Sequence, residues 1–405
     1  MLFSIHDNAV VLFSPGVALG RKAGTSAIRA FGHFSKKHTF IGYLTTIIPF
    51  IIFPYYCVIG GWVTKYALLS LQGGIHNAAS DTFFTGFISK SAEPMICVLV
   101  FLIATTVVVA GGVKGGVERV STIMMPVLIV LLIGVSLFCI TRPGAMAGVA
   151  YYLKPSLKGF GPTTILAALG QLFYSMSLAM GIMITFGSYM PKKADLEKSV
   201  TQVEIFDTGV AFLAGLMIVP AVFVFSNGDS SMLAKGPSLM FVMLPKVFDS
   251  MAFSGVIAAV FFILVLLAAL TSSISLLETL VAVLMDKFHM KRGTACITMF
   301  IIALLLAVPS SLGFGAWSNI TILGFDFLDF FDFISNSVLM PIAAFLTCIF
   351  VGYIIKPKEI IDEVESSGEF KRKPLFLVMV KYIAPICIVA ILVFSVLEGL
   401  GFITV

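Results

Sequence analysis

The chain has 405 residues, of which 59% are apolar and only 12% are Asp, Glu, Lys or Arg, whereas soluble domains carry about 25% charged residues. Its formal net charge is only +5. So few polar side chains cannot cover the surface of one or two soluble domains. This composition excludes a soluble enzyme, a nucleic-acid-binding protein and a secreted disulfide scaffold. We expect an all-α membrane protein that crosses the bilayer several times.

The first 38 residues contain no segment that could cross a bilayer. Val10–Leu19 is apolar but short, and Ser14 and Pro15 interrupt it, so it is typical of the tail of a helix. A basic stretch follows it before the next apolar run begins. We therefore assign residues 1–38 to a helix remnant plus a cytoplasmic connection, and residues 39–405 to a single transmembrane domain.

Nine later segments are long and apolar enough to span, because a membrane helix needs about 20 mostly apolar residues. Their continuous apolar character argues against the short alternating strands of a membrane barrel. A shorter stretch, Ser238–Met251, predicts a loop helix. The nine predicted helices are Thr39–Leu71, Pro94–Gly112, Val120–Thr141, Pro162–Tyr189, Phe206–Ser226, Ala252–Met285, Ala295–Leu312, Phe333–Ile355 and Pro374–Leu400.

The orientation of the helices follows from the basic residues in the connections between them. Most of the 26 Lys and Arg residues lie before the first predicted helix and in every second connection after it. Basic connections stay on the cytoplasmic side of a membrane. We therefore expect a multi-pass protein of the cell membrane whose first full helix leaves the cytoplasm. Nine crossings would leave the C-terminus outside.

Cysteine and histidine residues give no sign of metal binding or catalysis. The six cysteines lie inside apolar runs without a CxxC pair, and the five histidines fall in polar connections without a second ligand at metal spacing. HExxH and GxSxG motifs do not occur in the sequence. We therefore expect no enzymatic activity, whereas chemistry alone leaves a channel open as an alternative.

Two predicted helices have unusually polar centres. Pro162–Tyr189 contains three glycines and the polar run Tyr174–Ser177, and Ala252–Met285 contains four hydroxyl residues within Thr271–Ser275. Hydroxyl groups can return hydrogen bonds to carbonyls of their own helix. Four hydroxyl residues in five positions also suit a hard cation such as Na⁺, which needs several oxygen ligands. Hydroxyl groups and the free carbonyl groups of a broken helix supply such oxygens.

The chain resembles the neurotransmitter:sodium symporters, and in particular their bacterial LeuT-like members. The resemblance runs from about Gly16 to the C-terminus. It covers the end of the family's second helix, its third helix, the connection between its fourth and fifth helices, its broken sixth helix and its eighth helix. The matching stretches are ALGRKAG (Ala18–Gly24), YYCVIGGW (Tyr55–Trp62), GGVKGGVERVSTIMMP (Gly111–Pro126), GQLFYSMSLAMGIMITFGSY (Gly170–Tyr189) and AALTSSISLLE (Ala268–Glu278).

This resemblance implies a LeuT-like bundle of two inverted five-helix repeats and sodium-coupled uptake of an amino acid across the cytoplasmic membrane. The site would lie at mid-membrane, between the family's first and sixth helices. Ions and substrate must prefer particular conformations for the gradient to drive transport. The expected partners are a small amino acid and the lipid bilayer, with no nucleic acid.

The resemblance also implies a set of substrate-binding residues. The Tyr56 hydroxyl would hold the substrate carboxylate, Ile52 would line the pocket one turn earlier, and Tyr174 would close over the substrate from outside. These positions offer no Lys or Arg for an acidic side chain, so we expect a neutral aliphatic or aromatic amino acid. Plain core packing remains the alternative for the apolar positions. The other implied pocket residues are Ser177, Leu178, Met180, Ser273 and Leu276.

Two sodium shells are implied in the same way, one with Ser175 and Asp207, the other with the Ala268 carbonyl and the hydroxyls of Thr271 and Ser272. An intramembrane carboxylate is costly and usually paired or functional. Chloride-dependent relatives have Asn at the position of Asp207 and a hydroxyl residue one turn later, where this chain has Ala211. We therefore expect the carboxylate to replace bound chloride. The alternative is that Asp207 caps a helix start near the cytoplasmic face.

Gating residues are the last set that the resemblance implies. Asp332 matches the outer-gate acid at the start of the family's tenth helix, and Tyr189 and Asp286 match the inner gate. The alternative for both acids is a solvated charge at a helix end. Glu278 lies two turns below the hydroxyl cluster, where we expect the inner water path.

The sequence departs from the family pattern in two respects. Ala179 stands where many relatives have glycine, and its methyl group restricts the backbone and makes a very bulky substrate less favourable. The family's first helix and most of its second have no counterpart, so we expect an N-terminally truncated bundle with incomplete sodium shells. We expect the 405 residues alone not to catalyse coupled transport, and a non-transporting fragment is the main alternative to a symporter.

Overall fold

The computed structural model describes residues 15–154, 161–226, 228–229, 233, 236–251 and 253–402. Regular structure in this part of the chain is helical, apart from one bridge between Ile322 and Phe325. The N-terminal apolar stretch is helical over residues 15–23, and its first residues lie outside the described part. A short amphipathic helix, α1 (Ala27–Phe34), follows and buries its apolar face.

Ten further helices build the bundle. Eight of them, all except α5 and α6, are long and apolar enough to cross a bilayer by length and composition, counted over the described residues. The helices are α2 (Thr39–Leu71), α3 (Ala92–Ala110), α4 (Arg119–Ile140), α5 (Pro162–Ser175), α6 (Ile182–Tyr189), α7 (Leu196–Phe225), α8 (Ser254–Phe288), α9 (Arg292–Leu312), α10 (Phe327–Ile354) and α11 (Lys373–Gly399).

Eight of the nine predicted spans are therefore confirmed as continuous helices, and the ninth is not continuous. The predicted helix Pro162–Tyr189 is divided into α5 and α6 by the non-helical residues 176–181. Hydropathy averages the polarity of side chains and carries no information on the backbone angles that break a helix. The family resemblance, by contrast, implies a broken helix at this position. The predicted loop helix is confirmed as the helical turns Leu239–Met243 and Leu244–Asp249.

The centre of the bundle is formed by α2 and α8, which pack against each other, with α3 packed on both. The side chain of Trp62 on α2 is almost fully buried. Its ring makes edge-to-face contacts with Phe84, Phe241 and Phe314, at centroid distances of 5.3, 5.8 and 5.4 Å. These aromatic contacts hold the loop helices against one end of the bundle.

Ion pairs to one buried carboxylate join the chain segments at the opposite end, which we call the basic end because Arg21 and Lys192 lie there. The Arg21 Nε atom lies 2.8 Å from Glu363 Oε1, and the Lys192 Nζ atom lies 2.9 Å from the same oxygen. The Arg21 side chain is fully buried and that of Glu363 is 8% exposed. The helix that contains Arg21 is thereby attached to the connection between α10 and α11, which contains the helix Lys358–Glu365.

Two glycines allow residues 15–23 to contact α6 backbone to backbone. A Cβ atom at Gly20 would lie 1.8 Å from the Ile184 carbonyl oxygen, and one at Gly187 would lie 2.3 Å from the Val17 carbonyl oxygen. Any larger residue would therefore separate the two helices. Small residues at such crossings are a common basis of helix packing in membranes.

We predict that Gly187→Val destabilises the protein by about 1–3 kcal/mol, because the added side chain must push the segment containing Val17 away from α6. Thermal unfolding in detergent measures the effect. The matched control is Gly134→Val on α4, where a Cβ atom would meet nothing within 4 Å. Equal melting temperatures for the two variants would contradict the close helix contact.

Candidate functional site

The break between α5 and α6 is made by residues with left-handed backbone angles. Ser177, Ala179 and Gly181 have φ values of 51°, 61° and 71°. Only glycine adopts such angles without cost, and the other residues keep them where the surrounding structure holds them. Ala179 thus takes the left-handed conformation despite its methyl group.

A cavity of about 1200 Å³ lies beside this break, between α2, α5, α6, α7 and α8. Most of the site residues inferred from the sequence line this cavity, although they come from distant parts of the chain. Those that line it are Ile52, Tyr56, Tyr174, Ser175, Ser177, Met180, Tyr189, Asp207, Thr271, Ser272 and Leu276.

The first pair of proposed sodium ligands is in direct contact. The Ser175 hydroxyl, at the end of α5, donates a hydrogen bond of 2.7 Å to Asp207 Oδ1 on α7. Helix α7 begins about three turns before Asp207, and Asp195 caps it by accepting the Lys198 N–H at 3.0 Å. The alternative that Asp207 caps a helix start is therefore wrong.

The second group of proposed ligands lies on α8. The Thr271 hydroxyl donates to the Ala268 carbonyl oxygen at 2.9 Å, a bond within the helix that brings two of the proposed oxygens together. Ser272 faces the cavity and lies beside the Tyr56 hydroxyl. The side chain of Ala268 does not line the cavity.

Two of the proposed pocket residues do not face this cavity. Leu178 is 6% exposed and lines a separate pocket of about 50 Å³ together with Thr45 and Thr347. Ser273 is fully buried, and its Oγ atom lies 3.0 Å from Thr105 Oγ1 on α3. Ser273 thus faces α3, about 100° around the helix from Ser272, which faces the cavity.

The proposed outer-gate acid has two partners that sequence reasoning missed. Asp332 Oδ1 accepts hydrogen bonds from the Tyr55 hydroxyl at 3.0 Å and from Asn336 Nδ2 at 2.6 Å. Asp332 is the sixth residue of α10 and its side chain is exposed, so the alternative of a solvated charge near a helix end is not overturned. The sequence did offer a sign of the second partner, because Asn336 follows Asp332 by four residues, and such residues are neighbours on a helix. Tyr174 lines both the central cavity and a second cavity of about 420 Å³ next to Asp332.

The proposed inner-gate residues have different partners. The Tyr189 hydroxyl donates to Glu278 Oε1 at 2.7 Å, and Asp286 Oδ2 accepts the Ser26 N–H at 2.6 Å at the start of α1. Among the described residues, the hydrogen bonds of Asp286 join it to α1 and not to Tyr189.

Glu278, which the sequence led us to expect in the inner water path, is buried and paired with a cation. Its side chain is fully buried, and Arg292 holds it with Nη1–Oε2 and Nη2–Oε1 bonds of 2.7 and 2.8 Å. A buried carboxylate in a membrane helix requires such a partner. That rule predicts that a partner exists, but the sequence does not identify Arg292 as the partner.

A helix broken within the membrane, beside a cavity lined by hydroxyl and carboxylate groups, is typical of a multi-pass membrane transporter. The model of the sodium:neurotransmitter symporter family matches residues 83–400. An uncharacterized sodium-dependent transporter of Haemophilus influenzae is 34% identical over 391 residues, which cover 93% of this chain and 84% of that protein. The sodium-dependent transporter YhdH of Bacillus subtilis, also uncharacterized, is 33% identical, with coverages of 92% and 83%.

A solved structure agrees with these sequence relatives. The crystal structure of MhsT in complex with L-phenylalanine matches with a TM-score of 0.87 and 35% sequence identity, covering 97% of this chain and 90% of that one. The chain therefore belongs to the sodium:neurotransmitter symporter family. It has the LeuT fold and is a sodium-dependent, multi-pass membrane transporter of a small molecule.

We predict that Arg292→Met destabilises the protein by about 3–5 kcal/mol, because it leaves the buried Glu278 carboxylate without its cation. Chemical unfolding in detergent measures this loss. The double variant Glu278→Gln with Arg292→Met contains no buried charge at this site, so it should recover much of the stability. A double variant no more stable than the single one would contradict the argument.

Proposed function

We propose that this protein couples the inward movement of Na⁺ to the uptake of a neutral amino acid. The observation that carries the proposal is the 2.7 Å contact between Ser175 and Asp207 at the helix break. It places a carboxylate and a hydroxyl on the wall of the cavity that Tyr56 also lines. Na⁺ is a hard cation that prefers oxygen ligands of this kind.

Two groups of oxygens would hold sodium ions. Ser175 and Asp207 form one, and the Ala268 carbonyl with the Thr271 and Ser272 hydroxyls forms the other. The Thr271–Ala268 distance of 2.9 Å supports the second group, because one cation can contact two oxygens at that separation. The first group joins the end of α5 to α7, and the second lies on α8.

The substrate would lie between the break and α2. The C-terminal end of α5 favours a cation and the N-terminal end of α6 favours an anion, which suits the two charges of a free amino acid. Tyr56 would bind the carboxylate, while Ile52, Met180 and Leu276 offer an apolar surface to the side chain. The L-phenylalanine bound to MhsT supports a neutral amino acid.

Residues that border the cavities would act as the outer and inner gates. Tyr174, which borders both the central cavity and the cavity next to Asp332, would close the substrate off from outside, and Asp332 would act beside it. Tyr189 and Asp286 would close the inner side. Nine crossings, with the split helix counted as one, would place the C-terminus outside the cell.

Asp207 supports transport without chloride, because a fixed carboxylate would supply the negative charge that chloride provides in other members of the family. Asp207 is a residue of α7, and its carboxylate accepts a hydrogen bond from Ser175, next to the proposed sodium ions. Uptake that rises steeply with external chloride would count against this part of the proposal.

Uptake into proteoliposomes tests the function directly. Accumulation of labelled neutral amino acids under an inward Na⁺ gradient, and its loss when K⁺ replaces Na⁺, would support the proposal and would contradict the expectation from the sequence that the 405 residues alone do not catalyse coupled transport. Saturable, Na⁺-dependent currents on substrate addition would distinguish symport from a channel, which would conduct without substrate. Binding without accumulation would favour the non-transporting alternative.

We predict that Thr271→Ala with Ser272→Ala lowers Na⁺ affinity at least tenfold, because each hydroxyl that contacts an ion contributes about 1.5–3 kcal/mol. The Na⁺ dependence of substrate binding measures the change. The control is Thr64→Ala with Thr106→Ala, which removes two hydroxyls that only bond carbonyls of their own helices. An unchanged Na⁺ dependence in the first variant would remove α8 from the ion site.

We predict that Tyr56→Phe weakens amino-acid binding roughly tenfold or more, because it deletes only the hydroxyl that meets the carboxylate. Equilibrium binding of labelled substrate measures the loss, and thermal unfolding confirms that the variant folds. Tyr43→Phe on the exposed face of the same helix is the control. If both variants bind as tightly as the wild type, the carboxylate lies elsewhere.

A further inference from the structure

Another polar cavity, separate from the central one and from the cavity next to Asp332, opens at the basic end of the molecule. It measures about 690 Å³ and lies between α1, the start of α2 and the end of α8. Its wall is strongly basic. The charged and titratable residues that line it are Arg29, His33, Lys36, Asp286, Lys287 and His289.

The positive charge in this cavity is not balanced within the described part of the chain. Asp286 is the one acidic residue among the lining residues described, and its carboxylate already accepts the Ser26 N–H at 2.6 Å. Arg29, Lys36 and Lys287 are exposed, and no described carboxylate lies within ion-pair distance of them. Three like charges around one cavity repel each other, so an anion between them would be stabilised.

The cavity opens where the apolar surface of the bundle meets water. On the first turns of α2, the side chains of Phe40, Tyr43 and Ile47 are 51%, 42% and 46% exposed, as expected of residues that face lipid. The Lys287 Nζ atom lies 5.6 Å from the centre of the Tyr43 ring. A lysine that extends along an aromatic ring towards water is typical of the headgroup level of a bilayer.

We propose that this cavity binds the headgroup of an anionic phospholipid. The phosphate would lie between Arg29, Lys36 and Lys287, and the acyl chains would follow the exposed apolar face of α2. A free phosphate ion would use only the cations, whereas a lipid also uses the apolar surface that continues from the cavity. Basic pockets between helices at the cytoplasmic side of membrane proteins suit such headgroups.

The proposed lipid would join two parts of the protein that meet at this point. Arg29 belongs to α1, and Lys287 belongs to the end of α8, next to Asp286. The direct polar contacts between these segments are the Ser26–Asp286 bond and a 3.2 Å bond from Arg29 Nη1 to the Asp286 carbonyl oxygen. A phosphate between the two segments would add charge-assisted bonds to both and hold them together.

Lipid binding to the purified protein in detergent tests the proposal. The protein is titrated with phosphatidylglycerol or with phosphatidylcholine, and bound lipid is counted by native mass spectrometry. The test variant combines Arg29→Gln, Lys36→Gln and Lys287→Gln. The matched control combines Lys193→Gln, Lys198→Gln and Lys358→Gln, which removes the same charge from exposed residues of the basic end outside the cavity.

We expect the wild type and the control to retain phosphatidylglycerol in preference to phosphatidylcholine. The cavity variant should bind phosphatidylglycerol roughly a hundredfold more weakly, because each cation near a headgroup contributes about 1 kcal/mol. Lys36→Gln and Lys287→Gln are also measured singly, since these exposed positions should not disturb folding, and each should weaken binding by about fivefold.

Three results would overturn the proposal. Equal loss in the cavity variant and the control would show that only the overall surface charge attracts the lipid. Equal retention of phosphatidylcholine would show that the phosphate environment does not select an acidic lipid. Complete displacement of phosphatidylglycerol by an equimolar amount of inorganic phosphate would identify a soluble anion as the ligand.

Discussion

The architecture depends on one constraint, which is that backbone N–H and C=O groups inside a bilayer find no water to bond. A chain that leaves the helix within the membrane must therefore be enclosed by protein or border a polar cavity. Residues 176–181 do both. On one side, a Cβ atom at Gly181 would lie 3.1 Å from Ala27 Cβ and 3.3 Å from the Thr45 carbonyl oxygen. On the other side, the break borders the cavity that contains Asp207 and Tyr56.

The same constraint explains how well the helices could be predicted. Apolar runs must form helices in a membrane, so hydropathy located all eight continuous helices, most of them within a few residues of their observed ends. It placed the start of α7 at Phe206, ten residues late, because the charged first turns from Leu196 extend beyond the apolar region. It could not detect the break at Ser177 and Ala179, since left-handed backbone angles leave no trace in an apolar average.

The site could be inferred in part, and the failures have a geometric cause. Ser175 and Asp207 meet as the family resemblance implied, although 32 positions separate them in the sequence. Leu178 lies within the break, where helical periodicity no longer gives the direction of a side chain. Thr271, Ser272 and Leu276 share the face of α8 that lines the cavity, and Ser273 points beyond the edge of that face. Helical periodicity would have placed Ser273 off the cavity face.

Charged partners were the least predictable feature. The rule that an intramembrane carboxylate must be neutralised holds for Glu278, but several basic residues could have satisfied it. Asp332 found two neutral partners instead, the Tyr55 hydroxyl and the Asn336 amide. Which partner is used depends on how α2, α8 and α10 pack, and that packing is a property of the whole bundle.

The buried pair between Arg21 and Glu363 has a consequence for the order of biosynthesis. The two residues lie 342 positions apart, so the arginine leaves the ribosome long before its partner exists. During that interval its guanidinium must remain hydrated, because an unpaired charge cannot be buried without a large cost. The segment of residues 15–23 therefore cannot complete its docking until the connection before α11 has been translated. Closure of the basic end is a late step of assembly, and it depends on one of the last polar segments to be made.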